Sequence, residues 1–179
     1  MKVQETKLRD VFLVTPDKVF EDFRGQYWMN LHKADYQKRF GFEIVETDLA
    51  TSAKGVLRGI HYSPDDWKIY ECVHGKLFYA IVNCDEKDPE FGKSQCFVIT
   101  DQNHIQIVKH PRYGAGMLAL TDGAILYYMQ SEYYRDGNPN QRTFKWDDPC
   151  FHIFWPKILG VEPILSERDV KGAYEWEKK

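Results

Sequence analysis

No apolar run in this sequence approaches the ~20 residues that a membrane-spanning helix needs. The opening stretch, Met-Lys-Val-Gln-Glu-Thr-Lys-Leu-Arg-Asp, is too polar for a secretory signal. A basic excess is also missing. The net charge of −3 over 179 residues argues against nucleic acid or an anionic membrane surface as a partner. Cys72, Cys84, Cys96 and Cys150 form no closely spaced pair, and each has apolar or aromatic neighbours. That argues against a disulfide framework or a cysteine metal site and predicts buried, reduced thiols, with a cytoplasmic location as the default. Linkers, internal repeats and low-complexity segments are absent, which predicts a single domain over residues 1–179.

Aromatic residues, by contrast, are plentiful at 15% of the chain, enough both to fill a core and to wall a pocket for flat ligands such as bases and sugar rings. Most of the chain reads as short strands between turn signals. Strands are expected at residues 11–15, 42–50, 55–62, 96–100, 105–109, 117–120 and 124–128. A longer β-rich run, 68–84, is broken by a hairpin turn at Val73-His-Gly-Lys76, and further turns are expected at Asp101-Gln-Asn-His104 and Thr121-Asp-Gly123. Only Lys33–Phe40 looks helical in the first half, with a second helix possible from Val170, near Tyr174 and Trp176. Many short, regularly spaced strands predict an all-β sandwich or barrel with a few short helices.

The stretch Gly55-Val-Leu-Arg-Gly-Ile-His-Tyr62 carries the first candidate chemistry. On a regular strand, side chains alternate, so Arg58 and His61 would point to opposite faces unless Gly59 marks a bulge. With a bulge, a fixed cation and a titratable base share one cavity, which suits a phosphorylated substrate whose protons are to be moved. The bland alternative is a structural histidine and a surface arginine. Lys68 follows His61 by seven residues at the start of the next strand. It reads either as an ordinary exposed lysine or as an ammonium at a pocket mouth, able to stabilise an oxyanion. Tyr128, on the face opposite Tyr127, is a candidate proton donor. Asp22 and Arg24 precede a turn glycine and an aromatic pair, so they fit either a salt-bridged surface turn or a phosphate contact. No histidine has a second imidazole two residues away on a strand, so a metal-free site is favoured over a metal site.

Five motifs in order then point to a family. Phe20-Glu-Asp-Phe-Arg-Gly25, Gly55 to Tyr62, Tyr128 to Tyr134, Trp146-Asp-Asp-Pro149, and Trp155-Pro156 followed by Leu165-Ser-Glu-Arg-Asp169 resemble those of the dTDP-4-dehydrorhamnose 3,5-epimerases. The resemblance runs from about Val11 to Asp169. It implies a cupin-like jelly-roll β-barrel, a homodimer, no metal or redox cofactor, and epimerisation at C3, C5 or both of a nucleotide-linked 4-keto sugar. In the roles it implies, His61 is the base, Asp169 its orienting carboxylate, Tyr128 the acid on the opposite ring face and Lys68 the cation near the enolate. Arg58 and Arg24 would bind diphosphate and nucleotide, with Phe20 and Trp28 beside them, and the Arg24 motif would serve the neighbouring subunit's site. Same-fold ketoisomerases and non-catalytic sugar-nucleotide-binding barrels are the alternatives.

The chain departs from the family pattern in four places. The family's second histidine is replaced by Ala115 or Met117, depending on alignment. Its Gln and Asn before the catalytic strand become Glu46 and Asp48, which are expected to meet base or sugar donors. Its opening-motif Glu becomes Met29, and the interval from His61 to Lys68 is shorter. That interval, with Arg24 to Trp28 and Lys68 to Gly75, is similar to the branch acting on GDP-linked 4-keto heptoses for capsular polysaccharide, so the expected nucleotide is GDP rather than dTDP.

Overall fold

The computed structural model describes residues 1–134 and 141–172. In chain order its elements are β1 (Lys2–Glu5), β2 (Val11–Thr15), β3 (Val19–Asp22), β4 (Gly25–Trp28), α1 (Lys33–Phe40), β5 (Glu46–Ser52), β6 (Leu57–Tyr62) and β7 (Lys68–His74). They continue with β8 (Lys76–Asn83), β9 (Ser94–Thr100), β10 (Gln106–Lys109), β11 (Tyr113–Ala119), β12 (Ala124–Gln130), β13 (Arg142–Thr143) and α2 (Glu167–Lys171). One sheet runs β1-β2-β10-β7-β12-β5, a second runs β13-β6-β11-β8-β9, and β3 and β4 form a separate hairpin. Every strand pairing is antiparallel. The two large sheets face each other, as the all-β jelly-roll expectation requires.

The core explains the long apolar runs. Leu77, Ile81 and Ile99 from one sheet meet Ile107, Cys72 and Leu126 from the other. Each fully buried aliphatic side chain contributes roughly 1.5–3 kcal/mol. Both sheets are also covered on their outer faces. Ile69, Val108 and Met129 lie under Tyr36 of α1, while Ile60, Val82 and Cys84 lie under Phe144 and Phe151. Strands covered on both sides lose their period-two pattern and read as continuous hydrophobic stretches.

The first helix has the bounds expected. Tyr36 and Phe40, four residues apart, share the face that meets the sheet. Gly41 closes the helix in the left-handed region at φ 80°, donating its N–H to the Gln37 carbonyl at 2.9 Å. The second helix begins upstream of Val170, where Ser166 caps it by accepting from the Asp169 N–H. The rest of that expectation, including Tyr174 and Trp176, lies outside the described residues.

Several expectations need correction. The strand expected from residue 42 begins at Glu46, because Phe42 instead stacks on Trp67 at 5.0 Å outside the sheet. The strand expected from residue 117 begins at Tyr113, since Gly114 and Gly116 blur its pattern. The short β1, β13 and the β3–β4 hairpin went unread because they are polar or exposed. The thiols are all free, and Cys72 and Cys84 are buried, but Cys150 is exposed in the turn at Pro149–Phe151, where Phe151 takes the buried position.

Gly59 does mark a bulge. Across β6 and β11, Ala115 pairs with His61 and Met117 with Arg58, so β6 carries one extra residue between the two pairs. Gly59 has φ +110°, and a Cβ there would lie 2.6 Å from the Ala115 carbonyl oxygen and 2.7 Å from the Gly116 Cα. We therefore expect Gly59→Ala to cost about 3 kcal/mol or more in urea unfolding, from backbone conformation and overpacking together. An unchanged midpoint would contradict this account of the bulge.

Candidate active site

The bulge turns Arg58 and His61 into the same cleft, an opening of about 270 Å³ between the sheets. β6 and β11 form one wall, with Ala115 and Met117 on β11. Lys68 and Tyr70 of β7, Tyr128 and Gln130 of β12 and Lys109 of β10 form the other. On β12, alternation sends Tyr128 into the cleft while its neighbour Tyr127 packs outside with Ile69 and Met129.

His61 is tied to α2. Its Nε2 lies 2.7 Å from Asp169 Oδ1, with the imidazole 33% exposed and the carboxylate side chain 4% exposed. Asp169 is itself held from two other directions, accepting from the Gly59 N–H at 3.2 Å and the Ser166 hydroxyl at 2.8 Å. Burial raises the Asp169 pKa, but the hydrogen bonds from His61, Ser166 and Gly59 outweigh it and leave the carboxyl below its usual value. A fixed carboxylate on one ring nitrogen orients the imidazole and leaves Nδ1 with its lone pair.

Lys68 is not the exposed first residue of a strand, nor does it sit at a pocket mouth. It is 7% exposed, on the cleft floor. Its Nζ pairs with Asp66 Oδ2 at 3.0 Å, donates to Gln130 Oε1 at 2.6 Å, and lies 5.5 Å from the Tyr128 ring centre. Tyr128 is a phenol, as any tyrosine is near neutral pH, and burial, reinforced by Asp48, pushes its pKa up to about 12. Glu46 and Asp48 on β5 do not line the cleft but lie beside Gln130, and both accept from its Nε2. Burial, with Glu46 adding to it, raises the Asp48 pKa. Arg58 is anchored to Ser52 Oγ and the Thr51 carbonyl, each at 3.3 Å.

Four of the expected residues thus converge with Arg58 in one place: His61, Asp169, Lys68 and Tyr128. Phe20, Arg24 and Trp28 do not join them. They lie on the β3–β4 hairpin, where Arg24 forks onto Asp22 and Trp28 packs against His104 with ring centres 4.1 Å apart and planes tilted by 39°. Sequence reasoning missed Asp66, Lys109, Gln130 and Arg168. Gln130 shares Tyr128's face two residues on, and Arg168 adjoins Asp169, so both were within reach of the pattern. Arg168 reaches the cleft while bonded to Thr143 Oγ1 at 2.5 Å and Gln141 Oε1 at 2.8 Å. The cleft therefore offers an oriented base, a phenol, buried ammonium groups and two guanidinium groups, a set able to hold an anion and exchange a carbon-bound proton.

Residues 5–175 match the family model described as dTDP-4-dehydrorhamnose 3,5-epimerase. The dTDP-4-dehydrorhamnose 3,5-epimerase of Shigella flexneri is 30% identical over 177 residues, covering 96% of this chain and 94% of its own. The solved rmlC epimerase of Mycobacterium tuberculosis superposes with a TM-score of 0.89 at 28% identity, over 99% of this chain and 90% of its own. The 3'-monoepimerase ChmJ of Streptomyces bikiniensis, solved with dTDP-quinovose, superposes with a TM-score of 0.85 at 25% identity, over 97% and 89%. On the strength of a family model spanning nearly its whole length, the chain belongs to the dTDP-4-dehydrorhamnose 3,5-epimerase family.

Proposed function

We propose that the protein epimerises a nucleotide-linked 4-keto sugar at C3, C5 or both. The observation that carries this reading is the His61–Asp169 pair, 2.7 Å apart, in one cleft with Tyr128 and Lys68. A carbon next to the C4 ketone is a weak acid. His61 Nδ1 takes its proton, and the C–H electrons form the enolate double bond while the carbonyl pair moves to oxygen. Lys68 offsets that charge. Tyr128 returns a proton from the opposite ring face as the ketone re-forms, inverting the centre. The resulting imidazolium and phenolate reset by exchange with water. Arg58 and Arg168 suit the diphosphate.

The nucleotide we assign is dTDP, because the Shigella flexneri relative carries it in its name and ChmJ was solved with dTDP-quinovose. That support outweighs the expectation of GDP and a heptose drawn from the short His61–Lys68 interval. Glu46 and Asp48 would then meet base or sugar donors. The exposed hairpin bearing Phe20, Arg24 and Trp28 is suited to a second subunit's cleft in a homodimer.

Incubation with dTDP- and GDP-linked 4-keto sugars in deuterium oxide, read by mass spectrometry, tests the reading. Uptake of two deuteriums marks both centres and one marks a single centre. A product with its carbonyl at C3 would instead mean a ketoisomerase. No uptake by folded protein with any substrate would leave a non-catalytic binding barrel. Tyr128→Phe is expected to cut net inversion about 10²-fold while sparing much of the exchange, because His61 alone still removes and returns the proton on its own face. Unchanged product formation would remove Tyr128 from the acid role.

A further inference from the structure

Lys109 is the least expected group in the cleft. It is 1% exposed, yet its side chain lines the same opening as His61 and Tyr128. Lysines are almost never buried so completely without a paired carboxylate. Among the described residues Lys109 has no carboxylate within ion-pair distance, and its Nζ donates to the backbone carbonyl of Asp66 at 3.0 Å. The Asp66 carboxylate is already committed. Its Oδ2 pairs with Lys68, and its Oδ1 accepts from the Ser131 N–H, the Ser131 hydroxyl and the Glu132 N–H. Lys68 and Lys109 are direct cross-strand partners on β7 and β10, an arrangement that like charges disfavour. Two ammonium groups thus stand over one carboxylate, the next nearest carboxylates, Glu46 and Asp48, lying beyond Gln130 on β5. A methionine would fill the same space without that cost.

We propose that Lys109 is a second cation of the epimerisation site, a positioning residue whose charge at the cleft floor, with Lys68, stabilises the enolate at the C4 oxygen. The inference rests on the epimerase reading above. In the resting cleft Lys109 has, among the described residues, no carboxylate of its own. When the C–H pair becomes the enolate and its proton passes to His61, the new negative charge on oxygen matches the ammonium. Lys109 also fixes Asp66 through its carbonyl, and Asp66 fixes Lys68. Burial, together with the neighbouring Lys68, draws the Lys109 pKa down to about 7, so its proton is held loosely until an anion is present. The titratable groups facing it are Lys68 on β7, Asp66 in the β6–β7 connection, Cys84 after β8 and, on its own segment, His110.

The test compares Lys109→Met and Lys109→Gln with the unsubstituted protein in the deuterium-uptake assay, alongside thermal unfolding and dTDP binding by calorimetry. The expected result is a kcat for exchange lower by about 10²-fold, with dTDP affinity within about twofold and an unfolding temperature equal to or above the parent's. An unchanged kcat in folded variants overturns the proposal, and Lys109→Gln, which can still donate to the Asp66 carbonyl, separates loss of the charge from loss of that bond. If neither variant folds, the unsubstituted protein decides. Its kcat profile must carry an alkaline fall, complete by about pH 9, as Lys109 loses its proton, and a profile that does not fall there overturns the proposal. Absence of uptake by the unsubstituted protein would strike the epimerase reading itself. Uptake that the variants match would strike only Lys109.

Discussion

Replacing His61 by asparagine is expected to lower deuterium uptake by at least about 10³-fold, below detection in an ordinary time course. Asparagine keeps a polar group in a half-open position but has no basic nitrogen. The core lies elsewhere and the imidazole is 33% exposed, so the variant should still fold, at the cost of one partner of the buried Asp169 carboxylate, which keeps Gly59 and Ser166. Nucleotide diphosphate binding should survive, because Arg58 keeps its anchors on Ser52 and Thr51. Calorimetry with dTDP and exchange measured on the same preparation separate the two effects. Uptake near the parent rate would remove His61 from the base role and with it the mechanism.

The second large effect is expected at Asp169→Asn, about 10³-fold in the same assay. The amide is nearly isosteric and can still accept from the Gly59 N–H, but it carries no charge to stabilise an imidazolium or to fix which nitrogen of His61 bears the proton. The pH dependence of stability should move too. The folded Asp169 carboxyl lies below its unfolded value of about 3.9. Its stabilisation is therefore complete above that unfolded value and is lost as pH falls through the folded one. The variant should show a shallower loss of stability in acid, read by denaturant unfolding from about pH 6 down to about pH 2. Parent and variant curves that fall in parallel would mean the carboxylate is not held as described.

Much of the fold was legible because alternation and turn chemistry are local. The helix at Lys33–Phe40 and the turn around Gly75 follow from residues adjacent in sequence. The site was legible in part for the same reason. Arg58, the glycine and His61 stand within one strand, and Tyr128 shows its facing through Tyr127. Burial of Lys68 was not legible, because a lysine opening a strand ordinarily reaches water. What holds it inside is Asp66 together with Gln130, sixty-two residues away. Lys109 left even less trace, since Gln106-Ile-Val-Lys109 reads as a strand ending in a solvated charge. Its burial is fixed by β7, a non-local neighbour. The hairpin residues Phe20, Arg24 and Trp28 stand in a legible motif, but the exposure of Phe20 and Arg24 is a property of the surface that a sequence pattern does not encode.

The extra residue at Gly59 makes the interval between Arg58 and His61 a matter of parity. Two side chains an odd number of positions apart share a face only if the backbone skips a beat between them. Removing Gly59 together with the bulge would leave the pair two positions apart on one face, whereas one residue more beside the same single bulge would swing one of the pair out of the cleft toward the Ile60–Phe144 side of the sheet. A one-residue insertion beside Gly59 should therefore cost the protein its chemistry, whereas one in the exposed turn before β6 should leave the chemistry in register.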